Sequence, residues 1–271
     1  MAHHGRLWSA ASSAPMGIRT ADAQSAGGMK HLLIVGRPGI GKTTLLARLT
    51  NILRAHPIDG FLTEELREEG QRMGFWLSPL DGRQVLLAHR HLAHGTRVGP
   101  YHVNAGALET VGVSVIRRGI RQARLLFLDE LGKMELCSKS FEQAVQDAFD
   151  QGPVVVATAG LATLPFLEQL KRRRDVELIP LSSSNRALIE EELTARLRIL
   201  CTEDETVRGL QHRADRICEL IVSGYVQPID VEIQQTALRE AVTRAFPDTP
   251  TLYHVLYENR FRRLWQQFRH A

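Results

Sequence analysis

The chain has 271 residues, which is enough for one large α/β domain or for a domain with an appended segment. With 44% hydrophobic and 24% charged residues its composition is that of a globular protein, and a formal charge of +4 is too small to indicate nucleic-acid binding by itself. No apolar run approaches the length of a membrane span, and three cysteines lack metal-ligand spacing, so we expect a soluble cytoplasmic protein.

Residues 1–28 differ in composition from the rest of the chain. They are rich in Ser, Ala and Gly, and Asp22 is their one acidic residue. We interpret them as a disordered tail, or as an extension that precedes a natural start at Met16 or Met29. The alternative is an organelle transit peptide, since such segments are rich in Arg and Ser and poor in acids.

A phosphate-binding loop is the first chemical motif of the chain. Residues 36–43 match the pattern G-x-x-x-x-G-K-[ST], residues 32–35 before it predict a short buried strand, and residues 44–49 after it open a helix. Glycines let backbone N–H groups turn inward around a phosphate, and the helix N-terminus adds further donors. The sequence therefore predicts a nucleotide-binding loop made of Gly36, Arg37, Pro38, Gly39, Ile40, Gly41, Lys42, Thr43 and Thr44.

The next part of the chain predicts an antiparallel hairpin. Residues 58–65 form a second strand, and apolar runs at 72–77 and 84–88 flank the dipeptide at 81–82, Asp-Gly, which is typical of hairpin turns. Residues 89–104 contain four histidines whose spacing fits no helix face, and no cysteine joins them. We expect a solvated loop there rather than a metal site.

Strands and helices then alternate along the chain. After a helix at 105–122, the predicted strands are 125–128, 154–157 and 176–179, and the predicted helices are 140–152, 164–171 and 185–199. A capping box of Ser140 and Gln143 should start the first helix of this list. The alternation predicts an α/β P-loop fold over residues 29–200, with a doubly wound and mostly parallel sheet that binds its ligand at the carboxyl ends of the strands.

The strand signal stops near residue 201. Residues 203–222, 230–245 and 251–269 predict helices, so we assign residues 201–271 to an α-helical C-terminal extension. Apolar side chains recur every three or four residues near its end, and these are Tyr253, Tyr257, Phe261, Leu264, Trp265 and Phe268. We interpret this face as core, with the neighbouring arginines on the solvent side. The alternative is a face that stacks on nucleic-acid bases or docks a protein partner.

Two acidic residues, Asp129 and Glu130, end the buried strand at 125–128. The carboxyl edge of a parallel sheet places them beside the phosphate loop. We expect Asp129 and the Thr43 hydroxyl to hold Mg²⁺, and Lys42 to reach the β- and γ-phosphates. Glu130 would orient or deprotonate the attacking water, so Lys42 and Glu130 are the predicted catalytic residues.

A second group of candidate site residues follows other strand ends and the adjoining loops: Thr63, Glu64, Arg72, Gly132, Lys133 and Thr158. Thr158 either bonds the water or the γ-phosphate, or is a buried hydroxyl with ordinary partners. Lys133 faces either phosphate or solvent. For Arg72 we favour a cross-strand ion pair over a phosphate contact.

The motifs together resemble one family. The phosphate loop, the segment 60–65 (Gly-Phe-Leu-Thr-Glu-Glu), the segment 72–75 (Arg-Met-Gly-Phe) and the segment 128–136 (Leu-Asp-Glu-Leu-Gly-Lys-Met-Glu-Leu) are similar to those of the small P-loop nucleoside-triphosphatases, which include the human cancer-related enzyme and its thermophile relatives. Residues 154–158 and the pair Asn185 and Arg186 also resemble later segments of the family. The resemblance covers residues 30–200 and implies Mg²⁺-dependent hydrolysis of nucleoside triphosphates to diphosphate and phosphate, with loose choice of base. Residues 159–162 have fewer distinctive side chains than the family pattern at this point, and the helical extension lies outside the resemblance.

Two other functions fit the same residues. A phosphotransferase would use the loop to phosphorylate a nucleoside, a small metabolite or a nucleic-acid end, although the sequence indicates no acceptor pocket. A nucleotide-dependent binding module would engage a protein or RNA through residues 201–271.

Overall fold

One nine-stranded sheet organises the protein. The computed structural model describes residues 31–201 and 205–269. The strands are β1 (His31–Val35), β2 (Ile58–Glu68), β3 (Gln71–Pro79), β4 (Val85–His89), β5 (Thr96–Val98), β6 (Tyr101–Val103), β7 (Leu125–Leu128), β8 (Val154–Ala159) and β9 (Val176–Pro180). Their order is β5-β6-β4-β3-β2-β7-β8-β1-β9, parallel from β2 to β9 and antiparallel from β5 to β2.

Helices cover both faces of the parallel part. In the described ranges the helices are α1 (Lys42–Ile52), α2 (Ala105–Ala107), α3 (Val113–Gln122), α4 (Lys139–Gln151), α5 (Pro165–Lys171), α6 (Arg186–Cys201), α7 (Glu205–Ser223), α8 (Pro228–Ala245) and α9 (Asn259–Arg269). A π-helical turn (Leu108–Gly112) joins α2 to α3, and another (His254–Glu258) precedes α9. One core contains α3, α4 and α5, and a second core on the opposite face contains α1 and α6. The predicted doubly wound α/β fold is confirmed.

Strand β7 lies at the centre of the sheet, between β2 and β8. All its side chains are fully buried, which explains why a continuous apolar run rather than an alternating one encodes it. Gly60 on β2 is required for this pairing because a Cβ there would lie 2.0 Å from the carbonyl oxygen of Phe127. Its φ of +136° is also one that glycine alone adopts readily. The pairing brings Thr63 of β2 next to Asp129, which follows β7, at the site described below.

The antiparallel part is larger than the predicted hairpin. Residues 96–98 and 101–103, expected in a solvated loop, form strands β5 and β6, and β6 pairs with β4. Tyr101 is buried with its ring centroid 5.2 Å from that of Phe75. Three-residue strands are too short to show an alternating pattern, so the loop interpretation of this stretch was wrong.

Helix α4 begins two residues earlier than its predicted capping box. The hydroxyl of Ser138, not that of Ser140, accepts a hydrogen bond from the N–H of Phe141 at 3.3 Å. Both serines are suitable caps by residue type. The position of the buried face, where Phe141 packs in the core, decides between them.

The C-terminal helices form a core of their own. Tyr253, Tyr257, Phe261 and Leu264 are at most 5% exposed and pack against α7 and α8. The interpretation of the aromatic face as core is therefore confirmed, and this face is not available to stack on bases. Within the described ranges 31–201 and 205–269, no helix combines the length and apolar character needed to cross a membrane.

A buried group of charges joins these helices to the sheet. We call it the arginine–carboxylate cluster, and its members are Glu177, Glu192, Arg196, Asp215, Arg260 and Arg263. Glu177 on β9 is fully buried and lies 2.7 Å from guanidinium nitrogens of both Arg196 and Arg263. Arg260, 2% exposed, lies 3.0 Å from Asp215. The expectation that the arginines of the last helix face solvent is thus wrong for Arg260 and Arg263.

Helix α9 also covers the free edge of β9. The side-chain amide of Gln267 accepts a hydrogen bond from the N–H of Leu178 at 3.4 Å and donates one to the carbonyl of Val176 at 3.3 Å. Unpaired edge groups otherwise invite pairing with another chain. The predicted tail at residues 1–28 lies outside the described residues, and the division of the chain at residue 201 stays a prediction.

Candidate nucleotide site

The phosphate loop connects β1 to α1. Gly39 and Gly41 have φ angles of +75° and +99°, which turn the loop back on itself at positions that disfavour other residues. Helix α1 begins at Lys42 without a side-chain cap, so the N–H groups of its first turn are free to bind an anion. The loop therefore has the backbone that its sequence predicts.

Lys42 is held inside this loop. Its side chain is 4% exposed, and Nζ donates long hydrogen bonds to the carbonyls of Gly36 at 3.3 Å and Arg37 at 3.4 Å. Hydrogen bonds from an ammonium group to phosphate oxygens would be more favourable than these bonds to neutral carbonyls, because hydrogen bonds between two charged groups are shorter and stronger. The Lys42 side chain thus already lies where it would contact a bound phosphate.

Asp129 lies beneath the loop at the end of β7 and is fully buried. Its Oδ1 accepts from the Thr158 hydroxyl at 2.7 Å, its Oδ2 accepts from the N–H of Thr63 at 3.1 Å, and the Thr43 side chain also bonds it. Burial raises the pKa of the Asp129 carboxyl, and these hydrogen bonds together with the charge of Lys42 oppose that rise. The carboxylate is oriented by three threonines and faces the loop.

Thr158 connects the two acidic residues. Strand β8 lies between β7 and β1, and at its end the Thr158 hydroxyl donates to Asp129 and accepts from the N–H of Glu130 at 2.8 Å. The hydroxyl is fully buried, and both of its bonds are made within the protein. Of the two predicted roles, the structure shows the buried hydroxyl with protein partners, and these partners are the candidate active-site residues.

Glu130 has an unusual backbone conformation. Its φ is +58°, in the left-handed region that residues other than glycine rarely adopt, and such strain collects at functional sites. Burial raises the pKa of its carboxyl; the Asp129 charge raises it further, while Lys42 and Arg72 oppose the rise. The backbone turn thus places a carboxyl group of raised pKa in the same cleft as Lys42 and Arg72.

Lys42 and Glu130 line a cleft of about 570 Å³, whereas Asp129 and Thr158 are fully buried and do not line it. It is lined by Pro38, Gly39, Gly41, Lys42, Thr43, Thr44, Thr63, Glu64, Glu65, Arg72, Phe75, Val98, Glu130, Gly132, Lys133, Met134 and Glu135. Gly36, Arg37 and Ile40 complete the phosphate loop outside this lining. The structure therefore brings the predicted loop residues and the predicted acids to one place.

The second group of candidates has mixed positions. Arg72 forms the predicted cross-strand ion pair, with Nη1 2.8 Å from Glu65, and its Nε donates to the Tyr101 hydroxyl at 3.1 Å. Glu64 is exposed and accepts hydrogen bonds from neighbouring strand residues. Lys133 is exposed at the cleft. The N–H of Gly132 donates to Glu135 at 3.1 Å.

Two residues of the site were not among the predicted ones. Glu135 is 2% exposed, and burial raises the pKa of its carboxyl to about 8. It belongs to the motif at 128–136, but its spacing from Glu130 indicated no role. Arg186 begins α6, and a Cβ built on Gly41 would lie 3.0 Å from its Nη1. With 144 residues between Gly41 and Arg186, no local pattern predicts their contact.

A second cleft of about 620 Å³ lies at the amino ends of the strands, near the start of β2 and the end of α1. Arg118, one of its lining residues, forms two hydrogen bonds with Asp59, at 2.6 and 2.8 Å, and one with Asp81 at 3.0 Å. Because these charges neutralise one another, and because the phosphate loop is at the other end of the sheet, we assign the nucleotide to the loop cleft.

A family model described as NTPase matches residues 31–194. The chain belongs to this NTPase family. The match confirms the resemblance found in the sequence and contains the phosphate loop, both acids and Thr158. It ends within α6, so α7, α8 and α9 lie beyond the part that defines the NTPase family.

Similar proteins cover about the same share of the chain as the family model does. The nucleoside-triphosphatase THEP1 of Thermotoga sp. (strain RQ2) is 42% identical over 167 residues, which are 62% of this chain and 95% of the relative. The cancer-related nucleoside-triphosphatase homolog of Mus musculus is 34% identical over 181 residues, which are 61% of this chain and 95% of the relative. The crystal structure of THEP1 from the hyperthermophile Aquifex aeolicus is 32% identical, with a TM-score of 0.56, and covers 60% of this chain and 96% of that one.

Proposed function

We propose that this protein hydrolyses nucleoside 5′-triphosphates to nucleoside diphosphate and phosphate, with Mg²⁺ as its metal. The relatives above are named as nucleoside-triphosphatases, and the chain covers about 95% of their length. The observation that carries the proposal is the placement of the Glu130 carboxylate in the same cleft as Lys42 and the phosphate loop. A phosphate loop alone binds nucleotide, whereas a carboxylate beside it supplies a base for water.

The phosphate loop holds the substrate in this proposal. N–H groups from Gly39 to Thr44 surround the β- and γ-phosphates, and Lys42 exchanges its two carbonyl partners for phosphate oxygens. The ammonium then stabilises charge on the transferred group. No large movement of Lys42 is required, because its side chain already lies inside the loop.

The residues around Asp129 suit Mg²⁺. This ion takes oxygen ligands, keeps several waters and is usually bound by one or two carboxylates together with substrate phosphates. Thr43 and Asp129 offer a hydroxyl and a carboxylate side by side, and among residues 31–201 and 205–269 no group of three or more His, Cys, Asp or Glu side chains forms an all-protein metal cage. When bound, the metal would neutralise phosphate charge.

Glu130 activates the attacking water in this proposal. The carboxylate orients the water and accepts its proton as the oxygen bonds to the γ-phosphorus, and the nucleoside diphosphate leaves. A general base works best when its pKa approaches the working pH, and burial moves the pKa of Glu130 in that direction. Thr158 holds the Glu130 backbone through its N–H.

The test is phosphate release from a panel of nucleoside triphosphates, with Mg²⁺ or with EDTA. We expect Glu130→Gln to bind nucleotide as the wild type does and to lose release by at least a hundredfold, within the usual range for a general base. Lys42→Ala should weaken both binding and turnover. Glu191→Gln, an exposed change on α6, is the matched control. Unchanged release by Glu130→Gln would remove Glu130 from this role.

Phosphoryl transfer to a bound acceptor is the second candidate. The cleft is also lined by the apolar residues Phe75, Val98 and Met134, which the sequence did not indicate. In that reaction Glu130 would take the proton of an acceptor hydroxyl rather than that of water. Label from γ-³²P-ATP appearing on an added hydroxyl compound, in excess over free phosphate, would favour this reaction over hydrolysis.

A further inference from the structure

Arg186 is held beside the phosphate loop by the turn that precedes it. The N–H of Leu181 donates to the carbonyl of Val35 at 2.8 Å, which ties the turn to the end of β1. The Asn185 side chain closes the turn: Oδ1 accepts from the N–H of Ser182 and Nδ2 donates to the carbonyl of Pro180, both at 2.8 Å. The backbone under Arg186 is therefore fixed relative to the loop.

The Arg186 side chain lies against Gly41 of the phosphate loop. A Cβ built on Gly41 would lie 3.0 Å from Nη1 of Arg186, 3.5 Å from Cδ and 3.9 Å from Cζ. Arg186 is exposed, and within the described part of the chain it makes neither an ion pair nor a hydrogen bond through its side chain. A surface arginine is usually solvated, but this one lies on a phosphate-loop glycine with its guanidinium unused.

The strand order gives the direction of a bound substrate. Strands β7, β8, β1 and β9 lie side by side in this order. Asp129 and Glu130 follow β7, and Thr158 lies at the end of β8. The phosphate loop follows β1, and the turn before Arg186 follows β9. A γ-phosphate near Glu130 thus lies on the β8 side of β1. A triphosphate that runs along the loop from that point has its other end, which carries the nucleoside, on the β9 side.

We propose that Arg186 binds the nucleoside of the substrate, with the plane of its guanidinium against the face of the nucleobase. This inference rests on the proposed function, since it takes the substrate to be a nucleoside triphosphate. A guanidinium stacks on any base and reads none of its hydrogen-bonding edge, so the contact supplies affinity without selecting one base. Purines, with the larger ring face, gain more from it than pyrimidines.

The experiment compares Arg186→Ala, Arg186→Lys and wild type. Arg186→Ala should raise KM about tenfold for ATP and GTP and less for CTP and UTP, with kcat within about twofold, since tenfold corresponds to about 1.4 kcal/mol of contact. Calorimetric titration with ADP should show the same loss of affinity without turnover. Arg186→Lys keeps the charge and loses the plane, so it should resemble Arg186→Ala. Arg198→Ala, an exposed arginine on the same helix, is the control.

Tripolyphosphate, which lacks a nucleoside, separates the possible contacts. Its affinity should be the same in wild type and Arg186→Ala. If Arg186→Ala weakens tripolyphosphate binding as much as ADP binding, Arg186 contacts the phosphate chain. If kcat falls while the affinity for ADP is unchanged, Arg186 contacts the transferred phosphate, and if no ligand is affected, it is a solvated arginine. Each of these results overturns the proposal. If the wild type releases no phosphate, the proposed hydrolysis fails while the ADP titration still decides the role of Arg186.

Discussion

Glu177 on β9 forms ion pairs with Arg260 and Arg263 of α9, so we expect its charge to hold the C-terminal helices to the sheet. Replacing it by Gln keeps the shape of the side chain and removes the charge that faces Arg196, Arg260 and Arg263. The wild-type cluster has three carboxylates and three guanidinium groups, whereas the variant leaves the two buried arginines, Arg196 and Arg260, and the half-buried Arg263 with Glu192 and Asp215 only. Removing one partner of a buried ion pair costs about 3–5 kcal/mol, because the remaining charge stays desolvated.

The pKa of Glu177 gives a second estimate of the same cost. Burial raises this pKa, but the charges of Arg196, Arg263 and Arg260 outweigh burial and lower it from 4.5 to about 2. The difference of about 2.5, at 1.36 kcal/mol for each unit, corresponds to about 3 kcal/mol. Because the folded-state pKa is depressed, this stability is present above pH 4.5 and is lost as the pH falls towards 2.

Urea denaturation of the full chain measures this free energy. At pH 7 we expect Glu177→Gln to be less stable than wild type by about 3 kcal/mol, and the difference should shrink as the pH falls below 4.5. Glu191→Gln, exposed on α6 next to the cluster member Glu192, should change stability by less than about 0.5 kcal/mol. A Glu177→Gln protein within about 0.5 kcal/mol of wild type at pH 7, or a difference that stays constant down to pH 3, would refute the reasoning.

Two substitutions near the cleft have equally definite outcomes. Glu135→Gln should be more stable than wild type at pH 8–9 by up to a few kcal/mol and similar to it at pH 5. Burial raises the pKa of Glu135 to about 8, so the stability contributed by its protonated carboxyl is present below pH 4.5 and is lost as the pH rises through 8. Gln can still accept the N–H of Gly132, so thermal unfolding across pH isolates the charge. Thr158→Val should cost about 1–3 kcal/mol in urea denaturation and lower kcat, because Asp129 and Glu130 each lose a buried hydrogen bond.

Controls for these substitutions are available in the same chain. Thr110→Val alters an exposed hydroxyl that bonds only its own helix, so stability and kcat should both stay near wild type. A Thr158→Val protein with wild-type kcat would show that the hydroxyl does not position the two acids. For Glu135, a stability difference from wild type that is independent of pH would show that the carboxyl does not titrate in its buried position.

Local motifs explain why much of the site was predictable. The phosphate loop is a run of eight residues, 36–43, whose glycines dictate its backbone, and Asp129 and Glu130 follow a strand that its apolar run marks clearly. The Thr158 contact with these acids depends on β8 lying between β7 and β1, which is a tertiary fact. Its position at a strand end made Thr158 a candidate site residue, but the sequence did not distinguish a contact with water or phosphate from a buried hydroxyl with protein partners.

Long-range pairing explains what the sequence did not predict. Glu177 and Arg263 are 86 residues apart in the chain. From the sequence alone each is expected at the surface, because charged residues are seldom buried without a partner. Arg186 and Gly41 are likewise joined only by the order of β1 and β9. Strands β5 and β6 were missed for another reason, since three residues cannot display a period of two.

The cover that Gln267 places over β9 has a consequence for how the protein should be handled. A fragment that ends near residue 200, where the NTPase family match stops, would retain every predicted site residue but would expose the Val176 and Leu178 backbone groups along an open sheet edge. It would also leave the Glu177 carboxylate without Arg260 and Arg263. Such an edge is a template for strand-to-strand association, so self-assembly of the shortened chain would reflect the cut rather than the native oligomeric state.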